Sequence, residues 1–334
     1  METVYPKSRE QWLNALESLP EVKPGEAKIP AIYFGHGHNA PRPKDTIFEH
    51  MGPRSPLAGF LRDFGPAILK KYKPKAIVVF SAHWESDDEI HGRELYISMV
   101  SLPNITLTVT NYGDENPLLM DYYGFPAELY ADEKTKFKSQ GDSVLSERVV
   151  NLLKEHNIPA RTISQDEPRG VDGRGFKGPG LDHDEFEGVF VPFKLMFGDQ
   201  LDVPVVQVSI DGGLDPIKNW SVGKALDKLR SEEVLIITGG LTIHTFQEFS
   251  AFSEKAARPI YKEFDKAVND AAMVSQPTER REALLNLVRH PGFRLAHPRE
   301  EHFIPIYIAA GCADEGESRV VSSIYGAITV VFGV

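Results

Sequence analysis

The chain has 334 residues, 41% hydrophobic and 25% charged, which is enough apolar material for a large core and ordinary for a globular protein. A formal net charge of -11 argues against a nucleic-acid backbone as partner, and the longest apolar runs, 76–80 and 234–240, are far shorter than the roughly 20 residues that span a bilayer. No apolar stretch follows a basic one at the start, and the single cysteine, Cys312, forbids an intrachain disulfide or a Cys-rich zinc cluster, so a soluble, cytoplasmic protein without a secretory signal is expected.

Ser8 followed by Gln11 has the form of a capping box and predicts a surface helix over 8–19, ahead of the Pro/Gly stretch PEVKPGE. Residues 1–27 therefore read as a helical extension and 28–334 as the main domain. In chain order the patterns then predict a strand at 31–34, a helix at 56–73, a strand at 76–82, and a strand-turn-strand excursion over 94–113 that turns at Pro103-Asn104. A helix at 142–157, a strand at 203–210, a helix at 216–231 and a strand at 234–240 follow. A long helical segment within 255–290, an amphipathic helix that begins in HPREEHFIPIYIAAG (297–311) and a strand at 327–334 complete the series. Near-continuous Val and Ile in the strands suggests burial on both faces. Their alternation with helices predicts a single α/β domain whose central sheet, mainly parallel or mixed, is flanked by helices and carries insertions.

Three of the eleven histidines follow strands: His36 after AIYF, His83 after IVVFSA and His244 after VLIITGG. Strand carboxyl ends line the ligand crevice of open α/β sheets, so these side chains can converge despite their separation in sequence. Neutral imidazole is the commonest metal ligand, and a cluster without cysteine suits zinc, iron or copper. A further ligand can come from His297, Glu300, Glu301 or His302. His183, flanked by Asp182 and Asp184, reads either as part of a solvated acidic loop or as a carboxylate-oriented histidine beside the substrate. His38 lies in a turn-forming context behind the ligands.

Other chemistries are poorly supported. GRGFKG (173–178) matches G-x-G-x-x-G but neither follows a strand nor opens a helix, and its glycines read as a mobile loop. There is no phosphate-binding P-loop and no G-x-S-x-G elbow.

In order along residues 30–310, FGHG, SAHW, YYGFPAELY, GLDH, GGLTIH and HPREEHFIP resemble the class III extradiol ring-cleaving dioxygenases of the LigB type, and above all the branch similar to DOPA-4,5-dioxygenase. The resemblance implies that His36, His83 and His302 are metal ligands, the last standing where more distant relatives have a glutamate. It gives His244 the acid/base role, although part of the family counts that histidine as a ligand, and it puts His183 on the substrate side with His297 orienting its neighbour. It also implies Fe(II) as the active metal, a catechol-type substrate, dioxygen as co-substrate and a ring-opened semialdehyde as product.

The chain departs from the family pattern at His38, at DHDEFEGVFVP and in insertions at 87–116 and 163–180, which bears on the substrate more than on the metal. Two other readings use the same histidines. A zinc hydrolase or lyase would activate water on Zn2+, and a Memo-like protein would bind metal or ligand without turnover.

Overall fold

The computed structural model describes residues 5–22, 28–36, 52, 54–86, 105–120, 137–167, 169–172, 175–177, 181–183 and 189–334. The strands are β1 (Ala31–Gly35), β2 (Ala76–Ser86), β3 (Leu107–Thr110), β4 (Leu118–Met120), β5 (Lys138–Ser139), β6 (Ala160–Ile163), β7 (Gly170–Asp172), β8 (Gly175–Lys177), β9 (Leu181–His183), β10 (Gln200–Leu201), β11 (Val205–Asp211), β12 (Val234–Gly240), β13 (Ser318–Ser322) and β14 (Thr329–Phe332). The helices are α1 (Arg9–Glu17), α2 (Pro56–Tyr72), α3 (Ser143–Glu155), α4 (Phe190–Phe197), α5 (Pro216–Ser231), α6 (Pro259–Ala272), α7 (Pro277–Asn286), α8 (Phe293–Ala296) and α9 (Pro305–Cys312).

Eight strands form one mixed sheet in the order β13-β14-β1-β12-β2-β11-β3-β6. Its centre, β1, β12, β2 and β11, is parallel; β14 joins β1 and β3 joins β11 in the antiparallel sense. All eleven residues of β2 and all seven of β12 are buried, which is why β2 opens on the unbroken apolar run 76–80 and β12 on 234–237. Alternate side chains go to opposite faces: Ile32, Phe34, Ile77, Val79 and Ile237 pack with α1, α2 and α4, whereas Tyr33, Val78, Phe80 and Ile236 pack with α3, α5, α6 and α9.

The layers close tightly where α5 crosses α9. A Cβ on Gly223 would stand 2.0 Å from the Ile308 carbonyl oxygen, so only glycine allows that approach. The buried guanidinium of Arg230 donates to the carbonyls of Ile29 (2.6 Å), Cys312 (3.1 Å) and Gly333 (3.3 Å), and so ties the entry to β1, the end of α9 and the end of the chain to α5.

The N-terminal capping box forms, with Gln11 N–H donating to Ser8 Oγ at 3.4 Å and Ser8 N–H to Gln11 Oε1 at 3.0 Å. This helix is not merely superficial, since Trp12 and Leu16 are buried against the same core as α2. Three expectations need correction. The long helical segment within 255–290 is two helices, broken at 273–276 where Pro277 begins α7. The helix expected from 297 begins only at Pro305 and is buried on every side, so His297 to Ile304 form turns that lead into it. The excursion over 94–113 contains β3, while its first arm lies outside the described residues. The expectation that GRGFKG follows no strand and forms a loop is corrected as well: it comes directly after β7 and contains β8, which pairs antiparallel with β7.

Candidate metal and active site

In the sheet β1, β12 and β2 are neighbours, with Gly35 opposite Gly240 and Gly239 opposite Ser81. His36 therefore leaves β1, His83 stands on β2, and His244 follows β12 at one end of the sheet, the carboxyl end where α/β crevices form. His302 comes to them from the turns before α9. Leu241 N–H donates to the His302 carbonyl at 2.8 Å, and a Cβ on Gly240 would stand 2.3 Å from that same oxygen. The glycine lets the histidine-bearing turn lie directly on the end of β12.

All four rings are buried: His302 is 0% exposed, His36 1%, His83 2% and His244 8%. Nε2 of His302 and Nε2 of His83 lie 3.0 Å apart. The His36 ring centre is 6.2 Å from that of His302, and the His244 ring stacks on His302 at 3.6 Å with an interplanar angle of 29°. Glu301 Oε1 is 3.2 Å from His302 Nδ1 and 3.8 Å from His244 Nδ1.

The tautomer follows from these distances. Nδ1–H of His302 donates to the carboxylate, which leaves the Nε2 lone pair facing His83, as carboxylate-oriented metal histidines are arranged. Two nitrogens each about 2.1 Å from one ion, and roughly perpendicular about it, stand about 3.0 Å apart. The spacing of His83 and His302 thus fits a shared cation. A second donor set, His244, Glu301 and His302, has ligand atoms within 4.8 Å of one another. The two sets compete for His302, which offers one lone pair; its bond to Glu301 favours the side facing His83 and makes Glu301 the residue that orients the ring.

The loop bearing His244 is fixed from below. His244 N–H donates to the Ala296 carbonyl (2.9 Å), and His297 Nε2–H donates to the Thr242 carbonyl (3.0 Å). His297 is enclosed by Phe264, Phe293 and Phe303, and this burial pushes its pKa down to about 4, leaving it neutral. Thr242 Oγ1 donates to buried Asp265 (2.7 Å), which also accepts from Gly326 N–H (3.0 Å); burial raises the Asp265 pKa to about 6 against the lowering effect of both bonds. Phe246 stands with its ring edge-on to His244, 5.0 Å away, and is 54% exposed.

Residues 45–333 match the model of the catalytic LigB subunit of aromatic ring-opening dioxygenases. The chain belongs to the LigB family. It is 42% identical over 330 residues, 97% of each chain, to a 4,5-DOPA dioxygenase extradiol-like protein of Schizosaccharomyces pombe. It is 32% identical to a 4,5-DOPA dioxygenase extradiol of Beta vulgaris, with 81% of this chain and 88% of that one aligned. An uncharacterized Escherichia coli K12 protein of known structure has the same fold, with a TM-score of 0.60 at 21% identity over 92% of this chain and 100% of that one.

This LigB chain thus brings His36, His83, His244 and His302 together, and sets His297 one layer behind them. His183 and Asp182 lie on β9, which pairs in parallel with β4 and runs beside β2. His38 lies outside the described residues. Sequence reasoning passed over Glu85, Arg299, Thr242 and Asp265. Glu85 could have been found by strand alternation, being two residues beyond His83 on β2. Asp265 carried no signal, because its partner lies on a loop 23 residues away.

Proposed function

We propose that the chain is a metal-dependent extradiol dioxygenase acting on a catechol-type, DOPA-like diol to give a ring-opened semialdehyde. Relatives named as 4,5-DOPA dioxygenases support the substrate class. The observation that carries the reading is the pair of Nε2 atoms 3.0 Å apart, with His244 stacked at 3.6 Å on the same His302 ring.

In this reading His36, His83 and His302 would hold Fe(II), and Zn2+ would fit the same imidazoles. Fe(II) supplies the one-electron chemistry that lets a spin-paired diol react with dioxygen. Both oxygen atoms enter the product, so no external reductant is consumed. His244, with Nδ1 turned toward Glu301 at 3.8 Å, uses Nε2 to take a hydroxyl proton from the diol and later returns it to the opening ring. The Glu301 carboxylate stabilises the imidazolium between these transfers. His183, next to Asp182 in the chain, is the second proton group on the substrate side.

Anaerobic loading with Fe(II), followed by oxygen uptake and absorbance with DOPA, protocatechuate, gallate and catechol, tests the reading. Uptake accompanied by a yellow ring-opened product supports it, and the active diol names the substrate. No uptake with any diol by fully loaded protein rejects it. His83→Ala and His302→Ala should lose metal, whereas His244→Ala should keep metal and lose about 10²–10⁴ in turnover.

A further inference from the structure

Arg299 stands between the two segments that carry His83 and His302. Its guanidinium pairs through both terminal nitrogens with the carboxylate of Glu85 on β2. The same Nη1 lies 3.5 Å from Oε2 of Glu301, whose other oxygen is 3.2 Å from His302 Nδ1. From His302 the path returns to β2 through the 3.0 Å approach to His83 Nε2. The contacts therefore close a ring: strand, Glu85, Arg299, Glu301, His302, His83, strand.

Two features make this ring more than surface pairing. Glu85 and Glu301 are only 5% and 4% exposed, and carboxylates so deeply placed need a compensating cation. The Glu85 contact is also two-pronged, so it fixes the orientation of the guanidinium as well as its distance. Glu301 can turn on its own side-chain torsions, and its contact with Arg299 restrains Oε2 while Oε1 faces the histidines.

We propose that Arg299 is a positioning residue of the metal centre: it clamps Glu85 and Glu301 so that His302 keeps its tautomer and stays at ligand spacing from His83 before metal arrives. This rests on the ligand assignment proposed above, and not on the reaction assigned to it.

The test is Co2+ binding by the full chain, read as affinity against a competing chelator and as the visible absorption of the bound ion. Arg299→Ala should weaken Co2+ about 10- to 100-fold and shift its spectrum, as loss of a residue behind the ligands does. Arg299→Lys, which cannot grip Glu85 with two coplanar donors, should fall between Arg299→Ala and the wild type. If Arg299→Ala does not fold because Glu85 loses the two-pronged contact with Arg299, Arg299→Ala combined with Glu85→Gln removes that carboxylate, and it should still bind Co2+ more weakly than Glu85→Gln alone. Unchanged affinity and spectrum in Arg299→Ala, or in the double variant against Glu85→Gln, would overturn the proposal alone, provided His83→Ala loses the ion. Wild-type protein that binds no Co2+ would overturn the ligand assignment with it.

Discussion

Asp265→Asn should change the pH dependence of stability in a stated direction. Burial raises the Asp265 pKa from 3.8 to about 6. The native protein then keeps a proton that the unfolded chain releases between those values. Stability from that proton is complete below 3.8 and is lost as pH rises through about 6. The full loss is about 3 kcal/mol, with roughly half of it falling between pH 5 and pH 8. Asparagine stays neutral throughout, and its Oδ1 can accept the same two bonds, from Thr242 Oγ1 and Gly326 N–H. Urea unfolding of both proteins at pH 5, 6, 7 and 8, followed by tryptophan fluorescence, isolates this group because every other carboxyl cancels in the difference. The variant should gain on the wild type by about 1.5 kcal/mol from pH 5 to pH 8, with equal urea slopes. A difference that stays flat within about 0.5 kcal/mol would show that the burial argument is wrong.

His297 should act with the opposite sign. Its folded pKa of about 4 lies below the ordinary 6.5, so the stability it contributes is present above 6.5 and is lost as pH falls toward 4, by about 3 kcal/mol. His297→Gln should flatten the acid side of the stability profile, and a profile parallel to wild type between pH 4 and pH 6.5 would refute this. Gly240→Ala should cost about 1–3 kcal/mol or displace the His302 turn, because its Cβ would lie 2.3 Å from a backbone oxygen that cannot step aside cheaply. Thermal unfolding together with Co2+ affinity checks it, and wild-type values for both would remove the role given to this close approach. Phe246→Ala should raise KM for a substituted diol more than for catechol, since the ring is 54% exposed at the edge of His244; equal effects on both diols would place Phe246 off the substrate path.

The central strands were legible because burial on both faces leaves a plain mark: 234–240 was expected as a strand and β12 has those bounds. The short strands β6 and β13 were not, since four or five residues carry too little pattern, and arginines interrupt both. The stretch before α9 misled for a physical reason. HPREEHFIPIYIAAG combines polar and apolar residues in a helix-like way, but Pro305 sets the helix start and the apolar residues after it are buried all round rather than along one stripe.

Strand ends also made the histidine cluster partly legible, since a residue just beyond a buried parallel strand has few places to go. What the sequence could not show is the order of those strands. β1, β12 and β2 are adjacent although about 150 residues separate the last two in the chain, and that adjacency alone puts His36, His83 and His244 beside one another. The turn with His302 is then bound to this edge mainly through main-chain contacts: Leu241 N–H to the His302 carbonyl, and His244 N–H to the Ala296 carbonyl. Such bonds do not depend on the side chains of the four histidines. Replacing one imidazole should therefore alter the centre while leaving the sheet edge in place, and the ring through Glu85, Arg299 and Glu301 is the part of the frame that side chains alone determine.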